Sequence, residues 1–142
     1  MDFSVTFEVN APAGAVWETM SDIEHWSEWT ASIRDIMRLD DGEFRVGSSA
    51  RVRQPRLPTA VWTVDEIEPG RFFTWTSRTP GVASTGVHRV DDLGDRSSVT
   101  LGIRQTGALA PLLGAIYGRL TRRYVQMEAD GLKRYVESRP TA

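Results

Sequence analysis

Few residues in this chain could do chemistry, and His88 is the first of them. A neutral imidazole can take up or release a proton near pH 7, so His88 is the candidate general acid or base. The same position also suits a structural role, with the ring bonded to a backbone carbonyl or a buried glutamine. Two other polar side chains fall among apolar neighbours in alternating stretches. Gln105 shares a face with Val99, Leu101 and Ile103, and Gln54 with Ala50 and Val52. The same alternation groups Trp62 with Val64, Phe73 with Trp75, and His88 with Gly86 and Val90. If these registers hold, three polar groups stand on an aromatic wall, the pattern of a pocket that orients an apolar ligand. A slip of one residue would turn every one of them outward.

The segment EHWSEWTASI, residues 24 to 33, adds two large rings. Trp26 and Trp29 are three positions apart, on one side of a helical turn, where they either seal the core or form a ligand-facing wall. Ile116, on the apolar side of the last helix, completes the candidate ligand-binding set. His25 lies beside Trp26 in a surface segment and carries no assigned role.

Other chemistries lack their motifs. The chain contains no G-x-S-x-G elbow, no P-loop, no G-x-G-x-x-G after a strand and no H-E-x-x-H, and two distant histidines make a poor metal site. No metal or cofactor is expected. Asp40-Asp41 and Asp91-Asp92 fall in turns, where aspartate serves local hydrogen bonds, and they are read as solvated. Arg119, Arg122 and Arg123 form either a charged outer helix face or a patch for anionic lipid or a partner.

The elements that must position these residues follow from changes of period. Phe3, Val5, Phe7 and Val9 alternate as a strand. Asn10 is placed to cap a short helix over APAGAVWETM, and Ser21 or Asp22 to cap a second that carries the two tryptophans. Strands are then expected at 36–39, 50–54, 61–67, 72–77, 82–90 and 97–106, joined by short Asp/Gly and Pro/Gly turns that imply antiparallel neighbours. From Pro111 to about Arg139 the period becomes helical, with Leu112, Leu113, Ile116, Leu120, Tyr124, Met127 and Gly131 recurring at threes and fours. The expectation is an α+β fold in which a curved antiparallel sheet of about seven strands wraps a long C-terminal helix. One helix cannot fill so curved a sheet, so space remains between them.

Composition bounds the rest. The 142 residues are 40% hydrophobic and 25% charged, which suits one globular domain over 1–142. A net charge of -2 argues against nucleic acid, and no stretch approaches the ~20 apolar residues a membrane span needs. The absence of cysteine excludes disulfides and thiolate zinc sites, and fits a cytoplasmic setting. MDFSVTFEVN has no signal-peptide pattern, so secretion is not expected. Self-association into a homodimer is kept as an option.

Four motifs together carry a family resemblance: F-x-V-x-A-P-A-x-x-V-W from Phe7 to Trp17, H-W-S-E-W from His25 to Trp29, the run from Trp62 to Trp75, and L-T-R-R-Y from Leu120 to Tyr124. Over nearly its whole length the chain resembles the START/Bet v 1-like (SRPBCC) superfamily, and more narrowly the bacterial polyketide cyclase/dehydrase and lipid-transport proteins. The resemblance implies a helix-grip fold with a deep apolar cavity for a hydrophobic small molecule. Two functions follow from it: a carrier or sensor for a lipid, polyketide or aromatic compound, or a cyclase/aromatase- or dehydratase-type enzyme in which His88 moves protons. A third is a regulatory partner protein, using Trp29 and the arginine face.

Overall fold

The structure, a computed structural model, describes residues 2–139. β1 (Asp2–Val9) leads into α1 (Ala13–Ser21) and a short 3-10 helix (Ile23–Glu28). Six strands follow: β2 (Asp35–Arg38), β3 (Ser49–Arg53), β4 (Ala60–Glu68), β5 (Phe72–Thr79), β6 (Val82–Asp92) and β7 (Ser97–Thr106). The last element is α2 (Ala110–Ser138). All seven strands pair antiparallel in the order β1-β7-β6-β5-β4-β3-β2, so β1 and β2 form the edges.

Turn chemistry sets much of this order. Gly70 sits at φ +87°, and the Arg71 amide donates to the Glu68 carbonyl, as a Pro-Gly type II turn requires between β4 and β5. A bulge between Val64 and Glu66 interrupts the pairing of those two strands. The helix starts are built differently from the expected caps. Pro12, not Asn10, precedes α1 and its carbonyl accepts from the Ala15 and Val16 amides, while the Asn10 amide donates to Glu137 on α2. Neither Ser21 nor Asp22 caps the 3-10 helix with its side chain: the Ser21 hydroxyl donates back to Trp17, and Asp22 bonds His25. Asp40 is also no solvated turn residue. It accepts from the Ser49 amide, the Ser48 hydroxyl and Arg38, and those donors hold its carboxyl below the usual range.

Long-range bonds show how the sheet meets the helix. At the β1 edge, Lys133 Nζ of α2 donates to the Glu8 carbonyl; toward the other edge, the Tyr124 hydroxyl donates to the Pro55 carbonyl between β3 and β4. Seven strands spaced ~4.8 Å apart are far wider than a helix ~10 Å across, so a sheet that touches one helix on both flanks must curl around it.

The two halves of α2 then pack unequally. Ala129, Gly131, Leu132 and Val136 are buried against the core built from Val9, Val16, Met20, Ile23 and Trp26. At Gly131 the approach is so close that a Cβ would collide with the carbonyl oxygen of Trp29. Before Ala129, one side of the helix borders a gap between it and the sheet.

Candidate ligand-binding cavity

The gap under α2, from Leu113 to Glu128, is a cavity of about 610 Å³. Its sheet wall is a row of rings across β4, β5 and β6. Trp62 and Trp75 have centroids 5.9 Å apart, Trp75 meets His88 edge-on at 5.7 Å, and Trp26 packs 5.4 Å from Trp75 and 5.2 Å from His88. Gly86 makes room for this row, since a Cβ there would stand 2.9 Å from Trp75 Nε1. From α2 the opposite wall receives Leu113, Tyr117, Thr121, Tyr124, Val125 and Glu128, one stripe of positions spaced by threes and fours.

Six of the nine residues proposed from the sequence line this cavity: Trp26, Gln54, Trp62, Trp75, His88 and Gln105. The strand alternation is why they converge, because Leu101 pairs with His88, Ile103 with Gly86 and Gln105 with Ser84. Gln105 Nε2 donates to the Ser84 hydroxyl, and Gln54 Nε2 reaches the Ser32 carbonyl at 3.4 Å. The other three stand elsewhere. Phe73 is fully buried at the closed end, stacked on His88 at 4.3 Å and flanked edge-on by Trp17 and Phe44. Trp29 lies 5.6 Å from Trp26 but borders a separate cleft of about 110 Å³ beside Tyr135. Ile116 is 61% exposed on the outer side of α2; the stripe that faces the cavity runs through Leu113 and Tyr117 instead.

Trp26 joins both expected roles. It is only 2% exposed, and its indole nitrogen donates to the Met20 carbonyl at 3.1 Å, so it seals the core while one part of the ring borders the cavity. Trp29 is a core residue whose backbone, more than its ring, seats α2 at Gly131.

Burial governs the titration of His88. The residue is 7% exposed, and desolvation pushes its pKa down to about 3, opposed by the Phe73 backbone. The imidazole is therefore neutral at physiological pH. Its Nδ1 is buried without a hydrogen-bond partner among the described residues, an unfilled polar point at the cavity wall.

Glu128 is the functional candidate missed in the sequence. It is the one carboxyl among the described cavity-lining residues, and no ion pair or hydrogen bond reaches it from the described residues. It keeps some accessible surface, but that surface faces the cavity, and desolvation raises its pKa to about 8. A signal was present: Tyr117, Thr121, Tyr124 and Glu128 are spaced four, three and four, which sets a carboxyl on a stripe of cavity-facing side chains.

A curled antiparallel sheet gripping a long helix over an internal aromatic cavity defines a helix-grip α+β protein. The chain belongs to the polyketide cyclase/dehydrase and lipid transport family, which residues 1–137 match. Solved structures share the fold. The Zhui aromatase/cyclase from Streptomyces sp. R1128 superposes with a TM-score of 0.71 at 18% identity, over 97% of this chain and 96% of that one. A START superfamily protein from Mycobacterium smegmatis gives 0.74 at 17%, over 96% and 97% of the two chains. Norcoclaurine synthase from Thalictrum flavum, solved with dopamine and hydroxybenzaldehyde, gives 0.76 at 13%, over 100% and 89%. No curated protein sequence matches the chain. Among the described residues no helix is long and apolar enough to cross a membrane, and no group of three or more His, Asp or Glu is placed to hold a metal ion.

Proposed function

We propose that this protein binds a hydrophobic small molecule, such as a lipid, polyketide or aromatic compound, in the cavity under α2 and acts as its carrier or sensor, with the whole chain as one binding domain. The observation that carries the reading is the cavity of about 610 Å³ walled by Trp26, Trp62 and Trp75, large enough for a ligand of several rings or a folded chain. Ring faces supply apolar area, and His88, Gln54 and Gln105 supply the few polar points that orient a ligand. The cysteine-free composition fits a reducing, cytoplasmic setting.

A cyclase- or dehydratase-type enzyme would use the same cavity, with His88 as its acid or base. Efficient proton transfer wants a pKa near the working pH, and an imidazole at about 3 is a weak base that is not protonated to act as a general acid at neutral pH. Binding is therefore the reading favoured here.

Native mass spectrometry of freshly purified protein, with extraction of whatever is bound and tryptophan fluorescence on adding it back, tests the proposal. A stoichiometric apolar ligand that quenches or shifts the tryptophans is the expected result. An empty protein whose fluorescence ignores a broad panel of lipids and polyaromatics would reject it. Once a ligand is known, His88→Ala separates the two functions: a carrier loses affinity modestly, whereas an enzyme loses turnover by ~10²–10⁴-fold.

A further inference from the structure

Resting on the reading that this cavity holds an apolar ligand, we infer that the ligand's class is an amine: a basic nitrogen on an aromatic or apolar body, with the nitrogen paired to Glu128 and the body against the tryptophans. The inference begins with a carboxyl that has nothing to do in the fold. Glu128 faces the cavity from α2 and meets no cation or donor among the described residues. An unpaired, largely desolvated carboxyl destabilises the protein that keeps it, so a purely structural position would favour a glutamine or an apolar residue.

The surroundings fit a cation. The wall across from α2 is made of tryptophan rings, whose faces attract cations most strongly among the aromatic side chains, and Tyr117 and Tyr124 add two more rings from α2 itself. Among the described residues no cation is buried in the cavity. Lys133, the sole lysine, is engaged outside with Glu8 and Glu137, and Arg78, the one arginine among the described lining residues, is exposed at the end of β5. The other ionisable groups facing the cavity are His88 from β6, held neutral by burial, and the two tyrosines.

Pairing also predicts a proton. With its pKa near 8, the empty-cavity Glu128 is mostly protonated at pH 7 and must release that proton to pair with an ammonium group. Amine affinity therefore rises with pH, by about tenfold between pH 7 and 9, while the affinity of a neutral analogue stays flat. His88 titrates far below this window.

The test is isothermal titration calorimetry of the full chain with naphthylethylamine and its neutral counterpart naphthylethanol, at pH 7 and pH 9, for the wild type and Glu128→Gln. The expected result is an amine preference of at least about tenfold at pH 9, shrinking toward pH 7 and reduced to near unity in Glu128→Gln. Wild-type titrations in buffers of different ionisation enthalpy should show close to one proton released per amine bound at pH 7, a readout that needs no variant. If naphthylethanol binds as tightly as the amine, or the preference survives Glu128→Gln, the inference is overturned and the hydrophobic-cavity reading stands. If neither probe binds, the cavity reading falls and takes the inference with it.

Discussion

The two ends of α2 meet tryptophan in opposite ways. Past Glu128 the helix lies close against the core: Gly131 admits the Trp29 carbonyl, and Ala129 and Leu132 are buried beside it. Before Tyr124 it presents Leu113, Tyr117 and Thr121 across a gap to Trp62 and Trp75. Tryptophan is therefore core at one end and cavity wall at the other. The difference lies less in the rings than in how near the backbone can come, and a single missing Cβ sets that distance. A protein of this shape is held shut at one end so that it can stay hollow at the other.

The strongest way to break the contrast is Gly131→Ala. The added methyl meets a backbone carbonyl, which cannot rotate away as a side chain can, so α2 must lift. We expect a loss of about 3 kcal/mol or more in urea denaturation, with a red shift of tryptophan emission as the closed end opens. Unchanged stability would mean that Trp29 and α2 are not in this contact.

Acid should act on a comparable scale, through the two desolvated groups on either side of the cavity. His88 has a folded pKa below its ordinary value, so the unfolded chain binds the extra proton and stability is lost as pH falls from 6.5 toward 3, by up to about 4 kcal/mol. Glu128 has a folded pKa above its ordinary value, so the stability it confers is present below pH 4.5 and is lost as pH rises toward 8. From these two groups the urea midpoint should be highest on a plateau between about pH 4.5 and 6.5, where their slopes cancel, and should fall on both sides. Replacing His88 with Asn should flatten the acid limb and Glu128→Gln the alkaline one. Because Glu128 keeps some contact with water in the cavity, its glutamine variant is expected to gain only ~1–2 kcal/mol at pH 8. A loss of stability there would show that the carboxylate is paired after all.

Smaller effects sharpen the boundary between the two ends. Tyr124 lines the cavity from α2, and its hydroxyl donates to the Pro55 carbonyl, a latch between α2 and the β3–β4 connection. Tyr124→Phe should cost about 1 kcal/mol by thermal melting and speed ligand release in stopped-flow fluorescence. At Gly86 an alanine pushes on the indole of Trp75. We expect Gly86→Ala to narrow the cavity and lower affinity for bulky polyaromatics severalfold, with stability changed by ~1 kcal/mol, measured by competition between large and small ligands. Equal loss for both sizes would separate Gly86 from the shape of the cavity.

Much of the sheet was legible in the sequence because a strand's faces follow from a period of two. Once Val99, Leu101 and Ile103 are assigned inward, Gln105 goes with them, and short turns bring β6 alongside so that His88 meets Leu101. The Pro-Gly turn at 69–70 and the helix from about 111 to 139 were equally readable. Alpha-helical residues were harder. The apolar side of α2 was drawn through Leu112, Leu113, Ile116, Leu120, Tyr124, Met127 and Gly131; Leu113 and Tyr124 do line the cavity, but Leu112 and Ile116 point out, and the inner side also takes in Tyr117, Thr121 and Glu128. That half carries apolar side chains on two flanks, and Leu112 and Ile116 remain exposed. Periodicity alone cannot choose between flanks when one helix face borders a cavity instead of a packed core.

By itself, then, the sequence determined the order of elements, the inward faces of the strands and the supply of aromatic rings, all of which are local properties of spacing and side-chain type. The tertiary structure alone decided that Trp29 belongs to the seal, that Ile116 faces out, that His88 is held neutral and that Glu128 is a lone carboxyl in an apolar chamber. Those are matters of how far the backbone of α2 stands from the sheet and how much water is left between them, and both depend on contacts as distant in sequence as Gly131 and Trp29.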